Sequence, residues 1–296
     1  MAAGQPRAGT VLCGQAGRRE PAACFAGSLG GAIGYVVDMS AEAIVGGPAE
    51  AQPAGNIPIA IPIDRRRDAL LVIDLQPDFM PGGALAVADG DAVVAPIAAL
   101  LARRGFDTVV ATQDNHPAGH ISFASRHGLP LFSTILLHGA AQTLWPDHCV
   151  QGTAGGALHA GLPLDALTLI LRKGAYADAD SYSAFRENHG PGGVRRTTGL
   201  GAFLRARGIE RVFVCGLARD YCVAWTALDA MSEGLSAFVL DDLTRAVDPS
   251  PEAAARTTAS LSAAGVRSIH SQALRFPDVA DPAPAGFVPA TGGERP

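Results

Sequence analysis

Cys222 closes the run Val214-Cys215-Gly216-Leu217-Ala218-Arg219-Asp220-Tyr221-Cys222, directly before an amphipathic stretch. A thiol at a helix N-terminus meets the positive end of the macrodipole, which favours thiolate. Free N–H groups in the preceding turn can also hold an oxyanion. Taken alone, the residue reads equally well as a buried thiol, and Asp220 as an ordinary N-cap. Two other residues change that balance. Asp74 ends the apolar run LLVID and Lys173 ends LILRK. An acid can take a thiol proton and return it to a leaving amine, while a nearby ammonium lowers the thiol pKa and orients the acid. Lys173 is the one lysine in the chain, against 22 arginines, which suggests a position that needs an ammonium rather than a guanidinium. The chemistry of such a set is nucleophilic attack without a catalytic histidine.

A second group lies in QDNHPAGHISF and LWPDHCVQGT. Asp114 and His116, two residues apart in extended chain, point to one side and can share a metal ion, with His148 as a third ligand. One hard oxygen and two imidazoles suit Zn²⁺ first, with Fe²⁺ and Mn²⁺ as alternatives. Any one of these histidines reads as an ordinary core or surface residue; their clustering favours a metal. Pro117 and Gly119 break any helix that would set His120 beside His116. His120 is therefore either a further ligand or a group that supports the ligands from behind. Cys149 faces away from its neighbour His148 in extended chain and reads as packing, as does Cys215 within its strand.

These residues need elements to position them. Short apolar runs read as buried strands over Ala69–Ile73, Thr108–Ala111, Leu167–Leu171, Arg211–Cys215, Ala237–Leu240 and Val266–Ile269. Amphipathic stretches alternate with them at Ala92–Arg104, Leu200–Arg207, Val223–Ser232 and Pro251–Ala264. Gly105, Gly208, Gly234 and Gly265 suit the left-handed position after a helix. Continuous apolar strands alternating with helices imply an α/β fold, a mainly parallel six-stranded sheet covered on both faces. Ligands in such sheets bind beyond the carboxyl ends of the strands. Asp74, Asp114, Lys173 and Gly216–Cys222 all fall there, so they should share one rim.

With VIDLQPDF, QDNHPAGHISF, LWPDHCVQGT, RKGAYADADSYSAF and GLARDYCV in this order, the chain resembles the nicotinamidases of the isochorismatase-like cysteine hydrolase superfamily from about Asp68 to Ile269. The resemblance implies a three-layer αβα sandwich, the isochorismatase-like hydrolase fold. It implies Asp74, Lys173 and Cys222 as a catalytic triad, and Asp114, His116 and His148 as ligands of one divalent metal. It implies a cis peptide before Ala218, and an oxyanion hole made by the N–H groups of Ala218 and Cys222. Phe79, Trp145, Tyr182 and Tyr221 match positions that line the substrate pocket, and each also reads as ordinary core. The implied reaction is hydrolysis of nicotinamide, and of pyrazinamide-like amides, to the acid and ammonia for NAD salvage. Two rival readings are a relative acting on another small amide of N-carbamoyl type, and a non-catalytic metal- or ligand-binding relative. Asn115 stands where an aromatic residue is usual, and Arg219 where Thr is common; both are expected to alter pocket edges or substrate range, and neither removes a catalytic atom.

The bulk composition agrees. A net charge of −5 gives no basic footprint for nucleic acid. Five cysteines without a CxxC pair argue against a disulfide framework or a zinc knuckle and fit reduced thiols in the cytoplasm. Residues 1–67 are rich in Ala, Gly and Pro and read as a poorly ordered extension; residues 276–296 read as a loose tail. Arg18-Arg19 before Ala22–Val37 faintly resembles a signal segment, but the stretch is broken by glycine and too short to span a bilayer. No membrane or nucleic-acid partner is expected beyond the small-molecule substrate; homo-oligomer formation is left open.

Overall fold

The computed structural model describes residues 60–277. Its strands, in chain order, are β1 (Ile61–Pro62), β2 (Asp68–Ile73), β3 (Thr108–Asp114), β4 (Thr134–Leu137), β5 (Ala140–Thr143), β6 (Leu169–Lys173), β7 (Arg211–Leu217), β8 (Ser236–Arg245), β9 (Arg267–Ile269) and β10 (Leu274–Arg275). The helices are α1 (Val94–Ala102), α2 (Ala124–His127), α3 (Leu200–Ala206), α4 (Ala224–Ser232) and α5 (Pro251–Ala263). Six strands form one sheet in the order β6-β3-β2-β7-β8-β9, and every neighbouring pair is parallel. The expected α/β sandwich is therefore present, with a wholly parallel central sheet.

Burial explains the order. All six residues of β2 are buried, and Leu70, Leu71, Val72 and Ile73 are at most 1% exposed. Each such side chain contributes about 1.5–3 kcal/mol of hydrophobic stabilisation. A strand that is apolar on both faces belongs in the centre of a sheet covered on both sides, and β2 lies between β3 and β7. Helix α1 buries Val94, Ile97, Leu100 and Leu101, the spacing of one helical face. Helix α5 starts on Ser250, whose side chain accepts the Ala253 N–H, with Pro251 at its first position.

From β2 the chain builds outward through β3 to β6, then crosses back to β7 and builds the other way through β8 to β9. The reversal lies between β2 and β7, whose carboxyl ends open the crevice where such sheets bind ligands. Asp74 follows β2, and Cys222 follows β7 through a five-residue π-helical turn, Arg219–Val223.

Three details differ from the sequence reading. Gly208, Gly234 and Gly265 carry positive φ after their helices, but after α1 the positive φ falls on Arg104 rather than Gly105. Gly105 is needed for space, since a Cβ there would stand 1.9 Å from the Phe276 ring. An antiparallel pair, β4 with β5, stands outside the main sheet and had no clear periodic signal. Finally, Ile61–Pro62 pair in parallel with Leu274–Arg275, so both ends of the described region meet. Residues 1–59 and 278–296, which hold most of the expected extension and tail, lie outside the described residues, as do Cys13 and Cys24. Among the described residues Cys149, Cys215 and Cys222 are unpaired thiols, and no helix is long and apolar enough to cross a membrane.

Gly216 sits where β7 passes the end of β2, with φ +105°, and a Cβ there would lie 2.1 Å from the Ile73 carbonyl oxygen. Backbone cannot yield as a flexible side chain can. Gly216→Ala is expected to cost about 3 kcal/mol or more, read as a lower midpoint in urea unfolding; an unchanged midpoint would refute the close approach.

Candidate active site

Lys173 is the last residue of β6 and pairs in register with Asp114, the last residue of β3. Its ammonium is wholly buried and lies 3.0 Å from Asp114 Oδ1, 2.9 Å from the Ser181 carbonyl oxygen, 2.9 Å from Asp74 Oδ2 and 3.5 Å from Cys222 Sγ. Burial opposes the charge on Lys173, but the carboxylates of Asp114 and Asp74 outweigh it and hold its pKa well above the usual lysine range.

Asp74 occupies the left-handed region, with φ +46°. A non-glycine residue there costs of order 1–3 kcal/mol and persists only where its surroundings impose it. Thr112 on β3 imposes it here: its hydroxyl accepts the Asp74 N–H at 3.0 Å and donates to Asp74 Oδ1 at 2.7 Å. The other oxygen, Oδ2, accepts no well-directed hydrogen bond, although the Lys173 ammonium is beside it. That oxygen is free to take a proton, and burial raises the Asp74 pKa against the pull of Lys173.

Cys222 lies two residues before α4, 7% exposed. The sequence led us to expect a thiol of lowered pKa. In the fold, burial pushes the thiol well above its usual range, Lys173 opposes this, and the nearby carboxylates of Asp74 and Asp114 add to it. Desolvation thus outweighs the ammonium beside the thiol and favours its protonated form. The Leu217–Ala218 peptide ahead of the turn is cis.

Asp114 Oδ2 faces two imidazoles, at 3.0 Å from His116 Nε2 and 3.5 Å from His148 Nε2. On the far side of each ring, Nδ1 meets a carbonyl oxygen: Gly174 for His116 at 2.9 Å and Pro146 for His148 at 2.8 Å. With Nδ1 donating to those carbonyls, each Nε2 is left facing Asp114; that carboxylate favours the protonated form of His116, and a metal ion would take the place of that proton on Nε2. Three buried acceptors turned toward one point, with ligand atoms all within 4.8 Å of one another, fit a divalent cation. Burial opposes ionisation of Asp114, yet His116 and Lys173 hold its pKa well below the usual carboxylate range. His120 stacks on His116 with ring centroids 4.2 Å apart, and both its nitrogens are engaged elsewhere. Nδ1 lies 2.8 Å from Ser122 Oγ, and Nε2 lies 2.9 and 3.1 Å from the carbonyl oxygens of Tyr176 and Ala179. Burial and the His116 charge lower its pKa to about 4. It backs His116 as a neutral ring.

Trp145, Tyr182 and Tyr221 form one edge-to-face cluster, with centroid distances of 4.8 Å (Trp145–Tyr221), 5.3 Å (Tyr182–Tyr221) and 6.3 Å (Trp145–Tyr182). The indole N–H of Trp145 donates to Tyr182 Oη at 3.0 Å. Phe79 packs edge-on against His148, at 5.6 Å. The four aromatic positions thus flank the turn and the histidines.

Several supporting residues escaped the sequence reading. Gln76, fully buried, accepts the Asp114 N–H at 2.7 Å and donates to the Asp114 carbonyl at 2.8 Å, which ties β3 to the segment after β2. Its place two residues after Asp74 was the available signal. Gly174, with φ +66°, keeps room for His116, since a Cβ would lie 2.5 Å from the ring. Asp180 accepts from Gln142 at 2.7 Å, and Gln142 also lies 3.1 Å from Tyr182 Oη, so a hairpin residue braces the aromatic cluster.

Known proteins match this chain over the same region. The family model described as "Isochorismatase domain" matches residues 68–271. The nicotinamidase of Acinetobacter baylyi is 49% identical over 181 residues, 61% of this chain and 82% of that one. The structure of PnC1 from L. infantum in complex with nicotinate is 43% identical, with TM-score 0.64, over 73% of this chain and 98% of that one. The pyrazinamidase of Pyrococcus horikoshii, solved in complex with zinc, is 35% identical, with TM-score 0.55, over 69% of this chain and 99% of that one. On the strength of a family model that spans the whole sheet and every residue of this rim, the chain belongs to the isochorismatase-domain family.

Proposed function

We propose that the protein hydrolyses nicotinamide to nicotinate and ammonia, with Cys222 as nucleophile. The observation that carries this reading is the convergence of Asp74, Lys173 and Cys222 in one dry site at the sheet's switch point. The nicotinamidase names of the relatives supply the substrate class.

The chemistry follows from the proton inventory. Burial favours the thiol form of Cys222, and Asp74 Oδ2 is a buried acceptor without a directed bond. As sulfur attacks the amide carbon, its proton passes to Asp74, and Lys173 steadies both the departing proton's acceptor and the developing thiolate. The N–H groups of Ala218 and Cys222 hold the oxyanion. Collapse breaks the C–N bond, Asp74 gives its proton to the amine, and ammonia leaves a thioester. Water then gives a proton to Asp74 and its oxygen to the acyl carbon, which releases nicotinate and restores the thiol. The cluster of Trp145, Tyr182 and Tyr221 would supply apolar contacts for an aromatic ring.

Asp114, His116 and His148 would hold one divalent ion, with zinc favoured by the two imidazoles and by the zinc-bound relative. Such an ion, when bound, supplies a Lewis-acidic position for a ring nitrogen or water. The product would feed NAD salvage, and pyrazinamide-like amides fit the same site. Unpaired thiols suit a cytoplasmic setting.

Cys222→Ala is expected to reduce ammonia release from nicotinamide by at least about 10³-fold while one equivalent of metal remains by elemental analysis. Turnover retained in that variant would sink the nucleophile. Chelation, or Asp114→Ala, is expected to remove the metal and lower the thermal midpoint together, since a bound ion stabilises only the folded chain; a midpoint indifferent to chelator would count against the ligand set.

A further inference from the structure

Arg219 opens the turn that carries Cys222, at the position where the resemblance has Thr as the common residue. Its guanidinium avoids the aromatic cluster. Nε and Nη2 donate to Asp241 Oδ1 at 3.2 and 2.9 Å, and Nη2 reaches Thr258 Oγ1 at 3.4 Å. Asp241 belongs to β8 and Thr258 to α5. The next residue, Asp220, accepts the N–H groups of Val247 and Asp248, both at 2.9 Å. Consecutive residues of the turn are thus fastened to β8, to α5 and to the connection between them. Asp220 holds the loop that follows β8, whereas Arg219 is the turn's side-chain tie to the strand itself.

The side chain of Arg219 is 16% exposed and that of Asp241 is 39% exposed. A pair this open adds little to global stability. Its effect is local: it fixes where the turn begins and therefore where the thiol ends. We propose that Arg219 is a positioning residue that, through Asp241 and the turn 219–223, keeps Cys222 Sγ in line with Asp74 and Lys173. This rests on Cys222 being the nucleophile. Small misplacements of a reacting atom are costly even when the displaced group lies outside the chemistry. The edge of the substrate pocket, by contrast, should be unaffected, so the sequence-based link between Arg219 and substrate range is not supported by where its side chain goes.

The test uses the full chain with its metal, and the variants Arg219→Thr, Arg219→Lys, Asp241→Asn and the double Arg219→Thr/Asp241→Asn. Steady-state rates on nicotinamide, metal content and thermal midpoint are read for each. Arg219→Thr and Asp241→Asn are expected to lower kcat by about 5- to 30-fold with KM within about twofold of the parent. The double variant should be no slower than the worse single one, as for two halves of one interaction. Arg219→Lys, which keeps a donor and the charge, should recover most of the loss. Metal content should not change. The inference is overturned if both single variants keep the parent kcat, if KM rises while kcat holds, or if the two losses multiply in the double variant. A fully active Cys222→Ala would overturn the proposed function instead, whereas an inactive one leaves these outcomes to judge Arg219 alone.

Discussion

The structure depends on one buried cation. Lys173 is at 0% exposure, and an ammonium with no partner in such a place would cost several kcal/mol. Two carboxylates and a backbone carbonyl make the charge tenable, and the two acids are shifted in opposite directions. Asp114, flanked by Lys173 and His116, stays ionised and can serve a metal. Asp74, shielded by burial and held through Thr112, is shifted the other way and can trade protons. Acids pushed apart in this fashion mark a division between charge holding and proton transfer. The ammonium is the hinge between the two halves, since it touches both acids and the thiol.

The sheet makes this convergence possible. Asp114 and Lys173 are register partners at the ends of adjacent parallel strands, and Asp74 and the Cys222 turn lie on either side of the reversal between β2 and β7. Parallel strands end at one level, so side chains from four separate segments reach a common point without long loops. Two glycines complete the packing. Gly216 lets β7 close on Ile73, and Gly174 leaves room for the His116 ring.

Much of this was legible in the sequence because strand ends are legible. The apolar runs that stop at or just before Asp74, Asp114 and Lys173 located the rim, and the alternation with helices implied a parallel sheet. The elements with weak periodicity were harder: the β4–β5 hairpin alternates only partly and packs beside the site rather than in the core. The direction of the Cys222 shift was not legible because a helix end and a lysine are visible in a sequence, while the desolvation that opposes the lysine is a property of the closed fold. Gln76 and Gln142 were missed for a related reason. An amide side chain announces nothing until its partners, here the Asp114 backbone and the Asp180 carboxylate, are in place. Arg219 was noticed as a departure, but its partners Asp241 and Thr258 were not, since one-dimensional proximity to Cys222 says nothing about which way a long side chain runs.

The sealed position of Lys173 has a consequence outside catalysis. The chain has no other lysine, so its folded surface is almost bare of primary amines even though it is rich in guanidinium groups. Reagents and enzymes that mark lysine side chains would find none to mark until the sheet opens. Lysine modification in this protein therefore reports unfolding itself, with the site's central cation as the sole internal label.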